Sequence, residues 1–333
     1  QLGGASQLAV LRPANMPRTR SNHRVGTRPA TMQHRLEAVL AKAVFGLLGR
    51  MKVEGASALG GWLVENIFTH TKRGRRARQQ IAAVFPDLPA ADVKRMERAS
   101  WNMFGRSMAE LPHLNAIISN PQRLLLDNAE ILHAANGRAN GTIYVASHMG
   151  NWELLPGIAK IAGQTFKGFY RPLSNTILEE RLRAMRQTAA GNGTLLPAAS
   201  RSISEVIGAL RRGETVGILG DLFEGNGVET TFLGLPARSN ALPATLSIRC
   251  NAQIIIATVT RLPGVRFKVT FSEVETVRTG DNALDIAATT QAVNRKLEAA
   301  ITANPDQWLW STNRWKGLDL NETSAGHPHK AQI

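Results

Sequence analysis

The stretch Thr142-Ile143-Tyr144-Val145-Ala146-Ser147-His148-Met149-Gly150-Asn151-Trp152-Glu153 changes character in its middle. Thr142 to Ala146 is a short apolar run of the kind that forms a buried strand, and beyond Glu153 the apolar residues Leu154, Leu155, Ile158 and Ile161 return at helical spacing. A strand running into a helix with little loop between is the unit of an α/β fold, and it puts His148 at the strand's carboxyl end. The same texture recurs downstream. Thr165 to Tyr170 reads as a strand followed by Arg171-Pro172-Leu173-Ser174-Asn175, and Thr215 to Leu219 as a strand ending in Gly220-Asp221. Ligands of open α/β sheets bind outside the carboxyl ends of the strands. His148, Arg171 and Asp221 are therefore expected in one crevice.

The chemistry of such a crevice follows from its side chains. A histidine near its ordinary pKa can take a proton from an alcohol as the alcohol attacks an acyl carbonyl. Glu153, in the first helical turn, is placed to orient the ring and stabilise the imidazolium, as carboxylates do in hydrolase triads. Gly150 permits the sharp turn from strand to helix. Free amides at the helix start, or Arg171, can stabilise an oxyanion. A structural hydrogen bond is the bland alternative for a His and a Glu at this spacing.

Upstream, the region before residue 36 carries Arg12, Arg18, Arg20, Arg24, Arg28 and Arg35 without an acidic residue and reads as a disordered basic arm over 1–35. From Leu36 to Phe68 apolar clusters alternate with charges and glycines. The stretch is too broken for a spanning helix, which needs about 20 predominantly apolar residues, and it suits helices lying in a membrane interface. An ordinary helical hairpin packed on its own domain is the alternative. Lys72-Arg73-Gly74-Arg75-Arg76-Ala77-Arg78 can contact phosphates or form a solvated helix start, and Asp92 to Leu111 has the period of a core-facing helix.

The formal net charge of +15 over 333 residues implies an anionic partner without choosing one. The single cysteine, Cys250, excludes an internal disulfide. The histidines show no metal-ligand spacing, so no metal is expected. Gly191-Asn192-Gly193 and Gly225-Asn226-Gly227 read as turns, so no nucleotide cofactor is implied. A Gly-x-Ser-x-Gly elbow is missing, which counts against a serine hydrolase.

Several ordered blocks carry a resemblance. Ser147 to Glu153 resembles the His-x4-(Asp/Glu) signature of the bacterial lipid A biosynthesis acyltransferases, the late or secondary acyltransferases, a family related to the phosphatidylinositol mannoside acyltransferases. Tyr170 to Asn175, Val216 to Asp221, Phe232-Leu233-Gly234-Leu235-Pro236-Ala237, and Pro305 to Trp310 with Asn313-Arg314-Trp315-Lys316 are similar to that family's later blocks.

The resemblance implies an α/β fold of the glycerophosphate-acyltransferase type, with a central, mostly parallel sheet flanked by helices. One acyltransferase domain is expected over 36–320, comprising an interfacial helical segment (36–70) and an α/β catalytic region (140–275), with a polar tail at 321–333. It also implies O-acyl transfer from an acyl thioester, on acyl carrier protein or coenzyme A, to a hydroxyl of a lipid A precursor or related glycolipid. The expected location is the cytoplasmic face of the inner membrane, peripheral or monotopic, with an anionic membrane surface as partner and no nucleic acid. By the same resemblance His148 is the general base, Glu153 its partner, Arg171 a contact for an acceptor phosphate or the developing charge, and Asp221 a residue that shapes the site. Gly150 and Asn175 join the substrate-binding set. Departures include the Ser311-Thr312-Asn313-Arg314 close, where a more basic, histidine-containing stretch is common. Readings from other classes are a lipase or thioesterase using the same pair, or a non-enzymatic protein that binds anionic membrane or nucleic acid.

Overall fold

The computed structural model describes residues 31–170, 172–197 and 200–320, without the side chains of residues 200 and 201. The greater part of the expected basic arm, Arg171 and the polar tail lie outside the described residues. The arm was expected to reach residue 35, but helix α1 (Met32–Leu48) starts earlier because the Thr31 hydroxyl accepts from the His34 amide and caps it.

Three further helices complete an N-terminal layer: α2 (Val53–Phe68), α3 (Lys72–Val84) and α4 (Ala90–Ala109). Helices α2 and α4 approach closely because both present glycine. A Cβ on Gly60 would lie 2.3 Å from the Ala109 Cβ, and one on Gly105 would lie 2.3 Å from the Gly60 carbonyl oxygen. Gly105→Leu should therefore wedge the helices apart. We expect a cost of about 1–3 kcal/mol or more, read as a fall in Tm; an unchanged Tm would contradict this packing.

The remaining elements alternate: α5 (Leu114–Ile118), β1 (Leu124–Asp127), α6 (Ala129–Ala134), β2 (Thr142–Ala146), α7 (Leu155–Ile161), β3 (Phe166–Tyr170), α8 (Thr176–Ala190), β4 (Thr194–Pro197), α9 (Ser200–Arg211), β5 (Thr215–Leu219), β6 (Val228–Phe232), β7 (Leu235–Ser239), α10 (Leu242–Cys250), β8 (Gln253–Leu262), β9 (Arg266–Val274) and α11 (Asn282–Ala303). The seven-stranded sheet has the order β1-β9-β8-β2-β5-β3-β4, and β6 with β7 forms a separate hairpin. Within the seven-stranded sheet, pairing is parallel except between β8 and β9.

Strand β2 sits near the middle and all its residues are buried, as its unbroken apolar run requires of a strand covered on both faces. Ile143, Val145, Ile254 and Ile256 point into one core, shared with Val216, Leu246 and Leu297. Tyr144, Ile255, Ala257 and Val259 point into the other, shared with Leu114, Ile158 and Phe267. The period of two along each strand thus divides the apolar residues between two cores, one per face.

No helix among the described residues is long and apolar enough to cross a membrane. Helix α1 nevertheless exposes Met32, Leu36, Val39, Leu40, Val44 and Leu47, and α2 exposes Trp62, Leu63 and Ile67. On α1 these residues recur every three to four positions on the side away from the buried Ala38 and Leu48.

Candidate active site

The register of two neighbouring parallel strands builds the centre of the site. Ala146 of β2 pairs with Leu219 of β5, so His148 and Asp221, each two residues beyond, emerge side by side at the carboxyl edge. His148 Nδ1 lies 2.8 Å from Asp221 Oδ1, and the His148 backbone amide donates to Asp221 Oδ2 at 2.8 Å. The indole Nε1 of Trp308 donates to the same Oδ2 at 2.7 Å. Asp221 is fully buried with each oxygen engaged, and the His148 side chain is 15 % exposed. The His148 ring packs edge-on against Trp152, centroids 5.0 Å apart. With Nδ1 turned to the carboxylate, Nε2 is the nitrogen available to a substrate, and no described residue bonds it.

Burial disfavours charge on both groups, but each charge sustains the other. Asp221, beside His148 and hydrogen-bonded to it, raises the His148 pKa; Glu153 adds to this and Arg186 opposes it. Conversely the His148 ring, Trp308 and the His148 amide hold Asp221 below its ordinary value against the cost of burial.

Glu153 does not orient the ring, contrary to the sequence reading. Its two oxygens accept from Arg186 Nε and Nη2 at 2.7 and 2.6 Å, a two-pronged pair between the turn after β2 and helix α8. The geometric reason is direction: the first turn carries Glu153 towards α8, whereas Asp221 leaves the adjacent strand next to the ring. Two of the amides at the helix start, expected to be free for an oxyanion, are also occupied. The Glu153 amide donates to Asn151 Oδ1, and the Leu154 amide to the Asn151 carbonyl.

Gly150 has φ +56°, and a Cβ there would lie 2.2 Å from the Val259 carbonyl oxygen, so the turn depends on the absence of a side chain. Its amide donates to the Gln307 carbonyl and its carbonyl accepts from Ser107 Oγ at 2.8 Å. Asn151 Nδ2 donates to Glu110 Oε2 at 2.7 Å, and Arg261 Nη2 bonds the same oxygen at 2.7 Å. Helix α4, its following residue Glu110 and strand β8 thereby clamp the turn from behind.

Asn175 is a helix cap. Its Oδ1 accepts from the Leu178 amide, and its Nδ2 donates to the His34 carbonyl and to Glu37 Oε2, which ties α1 across the start of α8. Leu173 and Ile177, two residues to either side of it, are exposed. Trp308, Trp310 and Trp315 are buried against one another and against Phe232, as core tryptophans. Arg314 is fully buried under the same cluster. Its guanidinium donates to the Arg238 carbonyl and Ser239 Oγ and stacks on Phe232, and burial pushes its pKa down to about 10.

Among the described residues no group of three or more histidine, cysteine, aspartate or glutamate side chains is arranged to hold a metal ion. The site is thus a histidine held by a buried acid, open at Nε2, with an Arg–Glu pair beside it. Residues 35–317 match the family model described as bacterial lipid A biosynthesis acyltransferase. The chain belongs to that family. A search of curated proteins returns no match.

Membership of the lipid A biosynthesis acyltransferase family makes the protein an acyltransferase, and its α/β architecture with a mostly parallel seven-stranded sheet agrees with that. In this acyltransferase the His148-x4-Glu153 stretch, which carried the resemblance, splits between two partners. Its histidine joins Asp221, and its glutamate joins Arg186. Sequence reading missed Arg186, one of several arginines on an amphipathic helix, and missed the contact of Trp308 with Asp221.

Proposed function

We propose that the protein transfers an acyl chain from a thioester, carried on acyl carrier protein, to a hydroxyl of a lipid A precursor or related glycolipid at a membrane surface. The observation that carries the reading is the His148–Asp221 pair with Nε2 open. The acceptor hydroxyl oxygen attacks the thioester carbonyl carbon while its proton passes to His148 Nε2, and Asp221 steadies the imidazolium. When the tetrahedral intermediate collapses, the C–S bond breaks and the departing sulfur takes the proton from Nε2. The products are an ester and a free thiol.

The surface supports a membrane setting. Helix α1, with its exposed apolar residues, is tied to Asn175 at the start of α8, where Leu173 and Ile177 are also exposed, and α2 adds Trp62, Leu63 and Ile67. Helix α3 follows with Lys72, Arg73, Arg75 and Arg76 near its N-terminus, where the helix dipole disfavours cations, and no acid lies in its first turn. These four make no ion pair with a described residue, which suits anionic headgroups. The net charge of +15 also complements an acidic carrier protein.

The test is reconstitution of the purified chain with acyl-carrier thioester and a lipid A precursor in anionic vesicles, read by lipid mass spectrometry. We expect a product heavier by one acyl group. Release of free fatty acid alone would show hydrolysis instead. Leu36→Asp with Leu40→Asp should weaken vesicle binding at least tenfold without altering the fold, since each leucine buried from water contributes about 1.5–3 kcal/mol. Co-sedimentation equal to wild type would remove α1 from the membrane contact.

A further inference from the structure

A general base acts within hydrogen-bond reach of the proton it takes, so the turn that carries it must hold still. Asn151 is the hub of that turn. Its Oδ1 accepts from the Glu153 amide and its carbonyl from the Leu154 amide, so this one residue starts the helical turn that carries Trp152 and Glu153. Trp152 packs edge-on against the His148 ring at 5.0 Å and stacks on Phe104 of α4 at 6.3 Å. Asn151 is completely buried, and among the described residues its Nδ2 bonds only to Glu110 Oε2, at 2.7 Å.

Glu110, itself fully buried, gathers partners from three directions. Besides Asn151, it takes Arg261 Nη2 of β8 on the same oxygen at 2.7 Å, and the Ser57 hydroxyl of α2 on Oε1 at 2.6 Å. Phe104, Ser107 and Glu110 recur three residues apart along α4 and its cap, and each reaches the turn: Phe104 at Trp152, Ser107 at the Gly150 carbonyl, Glu110 at Asn151. Glu97, a buried acid earlier in α4, differs, because its bonds go to Thr69 and Arg78 and stay within the helical layer. The pair with Arg261 already balances the buried charge of Glu110. Asn151 is neutral and adds nothing to that balance, so its bond to Glu110 is a constraint on the turn.

We propose that Glu110 is a positioning residue for acyl transfer: through Asn151 it fixes the turn that sets Trp152 against the His148 ring, and it does so without touching substrate. The acceptor oxygen it offers Asn151, rather than its charge, is what the reaction depends on. A displacement of about 1 Å from a change far from the chemistry can cost about 10²-fold in rate, which is the scale on which a loosened turn is felt. The inference rests on the reading of His148 as the base.

The experiment measures kcat, both KM values and Tm of the full chain with acyl-carrier thioester and lipid A precursor, for wild type, Glu110→Leu/Arg261→Met, Glu110→Gln/Arg261→Gln, Asn151→Ala and His148→Ala. Glu110→Leu/Arg261→Met exchanges the buried ion pair for apolar groups of similar size, which proteins often tolerate, and leaves Asn151 without its acceptor. We expect kcat to fall about 10–100-fold with both KM values within about threefold of wild type. Glu110→Gln/Arg261→Gln also removes both charges but keeps an amide oxygen for Asn151 and an NH2 for the Ser57 oxygen, and it should recover most of the rate. In every variant residue 261 keeps its backbone bonds to the Gln307 side chain. Asn151→Ala breaks the link from its other end while Glu110 retains Arg261 and Ser57, so it should fold, and lose kcat, even where Glu110→Leu/Arg261→Met does not fold. A kcat within about threefold of wild type in a folded Glu110→Leu/Arg261→Met or in Asn151→Ala would overturn the proposal. Equal losses in the two Glu110 variants would overturn it too, by assigning the effect to the ion pair. Wild-type rates in His148→Ala would instead remove the base reading, a result separable from the Glu110 series.

Discussion

His148→Ala should lower the rate of acyl transfer about a thousandfold or more while leaving the protein folded. A positioned general base contributes about 10²–10⁴, and in the proposed mechanism one ring accepts the hydroxyl proton and then returns it to the sulfur. The fold should survive because Asp221 keeps two donors, the Trp308 indole and the backbone amide of residue 148, and Trp152 keeps its stacking on Phe104 at 6.3 Å. The measurement is thioester consumption with lipid mass spectrometry, alongside thermal melting. A folded variant that retains a tenth of wild-type activity would rule out His148 as the base.

Asp221→Asn should cost about 10²–10⁴ in rate through the tautomer of the ring. The carboxylate now accepts from the indole and the amide on one oxygen and from Nδ1–H on the other. An asparagine has only one acceptor oxygen, and satisfying the two fixed donors with it turns its NH2 towards Nδ1. That favours the Nε2–H tautomer, which cannot take a proton from the substrate. Where the Nδ1–H form persists, loss of the negative charge removes the largest force raising the His148 pKa, so the acidic limb of kcat/KM should move to lower pH.

The stability of the pair carries its own sign. His148 is raised, so its contribution is complete below the ordinary histidine range and is lost as pH climbs through the raised value. Asp221 is depressed, so its contribution is present above the ordinary carboxylate range and is lost as pH falls through the lowered value. The Tm difference between wild type and Asp221→Asn should therefore be greatest between those two values and shrink at both ends. A difference flat across pH would mean that the pair adds no charge-linked stability.

The sequence made the strand-end logic legible because β2 and β5 are short, apolar, uniformly buried, and each runs directly into a polar residue. What it could not show was which strands are neighbours. His148 meets Asp221, 73 residues away, because β5 lies beside β2, and nothing local to either segment encodes that adjacency. Glu153 looked like the partner because it is near in sequence. Five residues of turn and helix are enough to swing a side chain away, and the bidentate bond to Arg186 then fixes it there. Asn175 likewise read as a polar group in a crevice, whereas Asn at the start of an apolar-periodic helix is a cap by preference. The edge of the sheet, where β9 turns antiparallel against β8 and β1 adds beyond it, follows from long-range pairing that an apolar run alone does not reveal.

The indole of Trp308 has a consequence in time. Residues 148 and 221 are joined to the chain long before residue 308, and until Trp308 is made the acid that holds the histidine lacks one of its donors, while the turn lacks its bonds to Gln307 and Leu309. A ribosome-bound chain can therefore complete the parallel strands and the helices that expose the apolar surface while the bonds around His148 and Asp221 stay incomplete. On the proposed reading of that pair as the catalytic centre, competence follows only once residue 308 has joined the chain.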